Sequence, residues 1–251
     1  MDEFVDVDGT EAEDPLIDLG DELDSALDRM SEAVQAYTFD SDHATAAHLS
    51  GEPRRRNLVL GGEDPRDAEL RERIKTEDIA WRGRIFDVNR LQVDLPDGRP
   101  ALRDVVRHPG AVAIVALTDD GRICLVRQYR TALDRVTVEI PAGKLSPGED
   151  PLECAGRELL EETGMQAERM AFLTTICTSV GFCDELIHLY MATGLSFVRS
   201  DPDEDEFINV DLVPLGELID AVLDGRIEDA KTIVGALVCD AVSHRLEPQE
   251  N

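Results

Sequence analysis

Lysine is nearly missing from this chain. Three lysines and 22 arginines face 54 acids among 251 residues, which leaves a formal net charge of −29. A surface of that sign repels nucleic-acid backbones and anionic lipids, so neither is an expected partner, and an anionic ligand has to be drawn in by local arginines or a metal. Long hydrophobic runs are lacking too. No apolar stretch approaches the roughly 18 residues of a membrane-spanning helix. Met1 is followed by acids instead of a basic segment and an apolar one, so neither a membrane span nor a secretory signal is expected. Cysteines at metal or redox spacing are absent: Cys124, Cys154, Cys177, Cys183 and Cys239 form no CxxC and leave one over, which fits a reduced, cytoplasmic setting with packed thiols. Aromatic residues make up only 4%, and Trp81 is the one indole, more simply core or dimer packing than a platform for a base.

The charge that is present is unevenly spread. Residues 1–50 carry 15 acids against Arg29 alone, whereas the other 201 residues carry 39 acids against 24 bases. This divides the chain into an acidic N-terminal extension (1–50), a linker (51–76) and one domain (77–251). Within the extension, Asp14-Pro15 is a helix start, and Leu16, Leu19, Leu23, Ala26, Leu27, Met30, Ala33, Val34 and Tyr37 recur every three or four residues. An amphipathic helix over about 15–37 is expected, packing on its own domain or a second subunit, or docking another protein. The linker reading rests on Gly51-Glu52-Pro53, Gly61-Gly62 and Asp64-Pro65.

From about Lys75 the pattern turns to β. Gly83 to Val93 and Ala101 to Arg107 read as strands across the turn Pro96-Asp97-Gly98, and Gly110 to Ala116 and Ile123 to Tyr129 across Asp119-Asp120-Gly121, each pair as a hairpin. Arg135 to Ile140, Leu173 to Thr178 and Leu186 to Thr193 read as further strands, and 151–163, 214–224 and 229–244 as helices. Strands covered by a few helices define an α+β class.

The run Gly143 to Met165, GKLSPGEDPLECAGRELLEETGM, carries the chemistry. Asp150 is an N-cap with Pro151 at the first helical position, and Gly164 is a natural stop, so 151–163 should be helical. On that helix Glu158 and Glu162 are four apart and Glu161 is three from Glu158, which crowds their carboxylates on its last turns. Like charges at that spacing cost roughly 0.2–0.5 kcal/mol per pair, and acids at a helix C-terminus oppose the macrodipole. A positive partner is therefore required. Carboxylates without His or Cys suit a hard ion, Mg²⁺ or Mn²⁺, which keeps waters and bridges to phosphate. Arg157 can pair with Glu161 across one turn or reach back to Glu149.

Gly143, Glu149 and the segment Arg157-Glu158-Leu159-Leu160-Glu161-Glu162-Thr163-Gly164 together resemble the Nudix box, the signature of hydrolases that cut a nucleoside diphosphate linked to another moiety. The resemblance implies a Nudix-like α/β/α sandwich of mixed sheet with an N-terminal antiparallel strand extension. It implies metal binding by Glu158, Glu162, Glu149 and the Ala142 carbonyl, with Glu161 assisting.

Outside the box, HPGAVAIV from His108, VRQYR from Val126, EIPAGKL from Glu139, SVGFCDE from Ser179 and DEDEFINV from Asp203 are similar to the ADP-ribose pyrophosphatase branch. By matching positions, Arg130 would contact the substrate phosphates, with Arg103 a further candidate, while Ser179, Gly181 and Glu185 would hold the terminal ribose. Val180 stands where the branch has proline, which widens the expected substrates from ADP-ribose to related nucleoside diphosphate sugars. Attack of water on one phosphorus would give AMP and ribose 5-phosphate from ADP-ribose. The base is expected in the acidic tract Asp203 to Glu206, at Glu206 or Glu204, and a homodimer is implied by the resemblance alone. Two other classes stay open at this point, a non-catalytic domain that senses ADP-ribose and a hydrolase whose N-terminal helix docks a partner.

Overall fold

The computed structural model describes residues 64–198 and 207–246. The expected helix at 15–37, most of the linker, and both Glu204 and Glu206 lie outside the described residues. The description begins inside the expected linker, where Asp64 caps a short 3-10 turn, Pro65–Glu69, and where β1 (Arg73–Arg82) starts ahead of the expected boundary at 77.

β1 pairs antiparallel with β2 (Asp87–Asp94), which pairs with β3 (Pro100–Arg107), forming a three-stranded antiparallel sheet. The β2–β3 hairpin agrees with the expectation. The expected strand from Gly83 starts later, because the chain bends first: the Gly83 N–H donates to the Phe86 carbonyl (3.0 Å) and to Asp87 Oδ1 (3.3 Å).

The second expected hairpin is not one. The chain between β4 (Ala111–Ala116) and β5 (Arg122–Arg130) makes only the isolated backbone bridge Leu117–Ile123, and the two strands pack side chains in the core while pairing in different sheets. β5 lies between β10 (Asn209–Pro214) and β6 (Arg135–Glu139), whereas β4 joins a mixed sheet in the order β7 (Ala142–Lys144), β4, β9 (Leu186–Phe197), β8 (Met165–Cys177). The reason lies in β4 itself. All six of its residues are buried, so it needs cover on both faces and neighbours on both edges, and it finds a parallel neighbour in β9.

Alternation along β4 sends its side chains into two cores. Val112, Ile114 and Ala116 pack with Cys154, Ala155 and Leu159 of α1 (Pro151–Thr163). Ala113 and Val115 face the other way, into a core with Leu218 and Ala221 of α2 (Leu215–Leu223) and Ala236 and Cys239 of α3 (Ala230–Leu246). Helices thus cover both faces of the mixed sheet, with the three-stranded sheet appended at the N-terminal side, as expected. β8 runs from Met165 and not from Leu173, because Gln166, Glu168 and Arg169 interrupt the apolar residues at its start and hide the strand signal.

Candidate active site

Helix α1 is built as its sequence dictates. Asp150 Oδ1 accepts from the N–H of Leu152 (2.8 Å) and of Glu153 (3.4 Å), and Pro151 opens the helix. Gly164 ends it at φ 72°, a left-handed conformation that favours glycine, with its N–H on the Leu160 carbonyl (2.8 Å). The apolar face of α1 enters the core, which leaves its acids toward the loop after β7.

Arg157 organises those acids. Its Nε and Nη2 fork Glu149 (2.9 and 3.1 Å), and Nη1 donates to both Glu158 Oε1 and Glu161 Oε2 (2.8 Å each). Glu149 also accepts from the Ser146 N–H (2.8 Å). The Arg157 bonds, then the Ser146 amide, hold its carboxyl at about 2, so it is ionised in neutral solution. Glu162 is 4% exposed, and its Oε2 accepts from the Ala142 N–H (3.0 Å), which ties the helix to the turn preceding the box glycine. Gly143 has no room for a side chain, since a Cβ there would stand 1.8 Å from Glu158 Cδ. The glycine is required because the carboxylate occupies that space.

These donors suit the expected cation. The carboxylates of Glu149, Glu158 and Glu161 gather on Arg157 and that of Glu162 on the Ala142 N–H. Cys154 Sγ also lies 3.3 Å from Arg157 Nη2, but burial pushes its thiol up to about 12, so the oxygens are the available donors and they match Mg²⁺ or Mn²⁺. Among the described residues no three carboxylates already converge at metal-binding distance, because Arg157 splays three of them around its guanidinium.

The box opens on a cavity of about 1420 Å³ whose lining includes Ala142, Gly143, Glu158, Glu161 and Glu162 from the box and its turn, Arg130, Glu139 and Lys231 from β5, β6 and α3, and Glu185. Arg130 forks Glu139 through Nε (2.7 Å) and Nη2 (2.6 Å). Glu139, 3% exposed, also accepts from Thr137 Oγ1 (2.6 Å) and from Lys231 Nζ. Burial alone would push its carboxyl up, but the bonds from Arg130 and Lys231 outweigh that and hold it at about 2. Lys231 donates a second bond to Asp229 Oδ1 (3.0 Å). Asp229 Oδ2 accepts from the Thr232 N–H and hydroxyl (3.0 and 2.6 Å), and the Thr232 oxygen accepts from the Ile140 N–H (2.8 Å). The first turn of α3 is thereby fastened to the β6–β7 turn.

Of the expected residues, the fold thus brings Ala142, Glu158, Glu161, Glu162, Arg130 and Glu185 to one cavity, with Glu149 joined through Arg157. Glu185 Oε1 sits 3.3 Å from His108 Nδ1. Arg103 does not line the cavity; it stands on β3 and pairs with Glu72. Ser179 and Gly181 do not line it either. The Ser179 carbonyl closes the loop by accepting from the N–H of Phe182 (3.1 Å) and Cys183 (2.9 Å), and Val180 is 86% exposed beside it. Glu139 and Lys231 are the cavity residues that sequence reasoning passed over. The signal available for Lys231 was its isolation, a lysine in an apolar helix of a chain with three lysines.

A glycine-bearing loop and a glutamate-rich helix facing a cationic cavity wall, on a mixed sheet between helices, define a Nudix-type fold and site. Comparison with known proteins agrees: the NUDIX domain model matches residues 106–234, and the chain belongs to that family. It is a Nudix hydrolase similar to ADP-ribose pyrophosphatases. It is 47% identical over 163 residues to the methanol dehydrogenase activator of Bacillus methanolicus, covering 64% of this chain and 88% of that one. It is 42% identical over 165 residues to the ADP-ribose pyrophosphatase of Bacillus subtilis (strain 168), covering 65% and 89%. A crystal structure of an ADP compounds hydrolase superposes with a TM-score of 0.64 at 22% identity, over 71% of this chain and 97% of that one, which supports the fold.

Proposed function

We propose that this protein hydrolyses the diphosphate of ADP-ribose or a related nucleoside diphosphate sugar with Mg²⁺ or Mn²⁺, giving AMP and ribose 5-phosphate from ADP-ribose. The observation that carries the reading is the cavity lined by Glu158, Glu161 and Glu162 of the box together with the Arg130 guanidinium. The 42% identity over 165 residues to an ADP-ribose pyrophosphatase supports the choice of substrate.

In this reading Ala142, Glu158 and Glu162, with Glu149 or Glu161, hold the cation, which when bound neutralises diphosphate charge as a Lewis acid. Arg157 keeps three of the carboxylates ordered, and the Ala142 N–H fixes Glu162. Arg130 offers its guanidinium to the phosphates, and Glu185, on the cavity wall, holds the terminal ribose. A water oxygen forms the new bond to one phosphorus as the bridging oxygen leaves with the electron pair. Glu206, or Glu204 beside it, takes the proton from the attacking water. A homodimer in the cytoplasm completes the reading. The exposed Ile74, Ile79, Trp81 and Leu102 of the three-stranded sheet supply apolar area for a second copy.

The test is product chromatography across a panel of nucleoside diphosphate sugars, with Mg²⁺ and with chelator. Equimolar AMP and ribose 5-phosphate from ADP-ribose, lost on chelation, is the expected result. An absence of turnover on every member of the panel would sink the reading.

A further inference from the structure

Among the lysines and arginines of the described residues Lys231 alone is buried, with 10% of its side chain exposed. Burying an ammonium is costly unless it is paired, and a buried ion pair is commonly no more stabilising than apolar packing of the same volume. Stability is therefore a poor reason for this lysine, and its partners suggest another.

Lys231 completes the hydrogen bonding of Glu139. Oε1 receives Arg130 Nε and Thr137 Oγ1, and Oε2 receives Arg130 Nη2 and Lys231 Nζ, so each oxygen has two donors and the carboxylate cannot rotate. Glu139 in turn takes one edge of the Arg130 guanidinium side-on. Among the described residues Nη1 of Arg130 has no hydrogen-bond partner, and the side chain is 42% exposed where it lines the cavity. An arriving diphosphate competes with Glu139 for this arginine. A second cation on Glu139 keeps that carboxylate balanced while Arg130 shares its charge with phosphate.

We propose that Lys231 is a positioning residue for the substrate diphosphate, acting through Glu139 to aim Arg130 into the cavity. This rests on the reading of Arg130 as the phosphate-binding arginine. The same α3 turn anchors Ile140 through Thr232, so Lys231 is held against the sheet that carries both Arg130 and the box turn.

Steady-state kinetics and calorimetric binding of ADP-ribose to the full chain test this with K231M, K231R, R130A and the K231M/R130A pair, each checked for folding by circular dichroism. K231M should raise KM, and weaken binding, by about 10- to 100-fold while kcat stays within a small factor, and K231R should recover part of the loss. Because Lys231 acts through Arg130, the double variant should have the KM of R130A alone. Should K231M not fold, K231Q takes its place with the same outcomes. An active wild type with unchanged KM in folded K231M, or effects that multiply in the double variant, overturns the role of Lys231 alone. If ADP-ribose is not turned over, the same variants are measured with whichever member of the nucleoside diphosphate sugar panel is. A wild type that binds a panel member but turns over none overturns the hydrolytic reading and leaves binding to judge Lys231, and one that neither binds nor turns over any member overturns both.

Discussion

Two arginine-centred networks line the same cavity, and they are balanced in opposite ways. On the box side one guanidinium, Arg157, bonds three carboxylates, Glu149, Glu158 and Glu161, next to the buried Glu162. On the sheet side two cations, Arg130 and Lys231, meet two carboxylates, Glu139 and Asp229. The first set has negative charge in excess of its arginine and calls for a further cation. The second is balanced in charge within the protein and leaves only the outer edge of Arg130 without a partner among the described residues. The difference separates a wall whose charge calls for a cation from a wall that aims one arginine. Substitutions on the two walls should therefore fail differently: the box wall in turnover, the sheet wall in affinity and stability.

The largest effect is expected on the box wall. Glu162→Gln keeps an oxygen able to accept from the Ala142 N–H but removes the charge, so the fold should persist while kcat falls roughly 10³-fold, about 4 kcal/mol of barrier. Initial rates at saturating Mg²⁺ measure it. Mg²⁺ should also raise the melting temperature of the wild type more than that of the variant. Equal kcat in both proteins would place the metal elsewhere.

On the sheet wall, the charge of Glu139 should appear as acid-sensitive stability. Its carboxyl is lowered from 4.5 to about 2 in the folded protein. A depressed carboxyl stabilises the fold above its unfolded value and loses that contribution as pH falls through the folded one, so the relevant window lies between those two values. The gap in unfolding free energy between wild type and Glu139→Gln should be widest near neutral pH, on the order of 3 kcal/mol, and should close on acidification through this window. Urea titrations at several pH values give the gap directly. A gap that does not change with pH would mean that the pairing with Arg130 and Lys231 contributes nothing through charge.

Gly143 tests how tightly the box wall is fitted. In Gly143→Ala the added Cβ, 1.8 Å from Glu158 Cδ, forces the carboxylate aside. A displacement of that order lowers kcat about 10²-fold, with a melting temperature close to that of the wild type. Wild-type turnover would show that Glu158 has freedom to move.

The asymmetry between the walls also explains what was legible in the sequence. The box wall is local: Gly143, Glu149, Arg157, Glu158, Glu161 and Glu162 are held by one loop and one helix, so spacing alone conveys their convergence. The sheet wall is assembled from residues far apart in the chain. Glu139 and Lys231 are 92 positions apart, and nothing in periodicity or motif links them. Strand pairing failed for the same reason. The turn Asp119-Asp120-Gly121 was legible, but the divergence of β4 and β5 depends on β9 arriving beside β4, a contact no local pattern encodes. Arg103 and Arg130 were both readable as cations near a phosphate. Only the fold shows that the first faces Glu72 on the appended sheet and the second lines the cavity.

The smallest effect is expected where the sheet wall is anchored. Thr232 is fully buried, its hydroxyl donating to Asp229 Oδ2 and accepting from the Ile140 N–H, and Ile140 is itself 1% exposed. Thr232→Val preserves the shape and removes the oxygen, which leaves a buried N–H without its partner, at a cost of about 1–3 kcal/mol. The Thr232 N–H keeps its bond to Asp229, so the N-cap of α3 survives. Denaturant melts should show the loss, while kcat per folded molecule stays near the wild-type value because no group touching substrate has moved. A fall in kcat without a fall in stability would mean that the α3 anchor reports to the box wall through Ile140 and Ala142, and the two walls would then have to be treated as one mechanical unit.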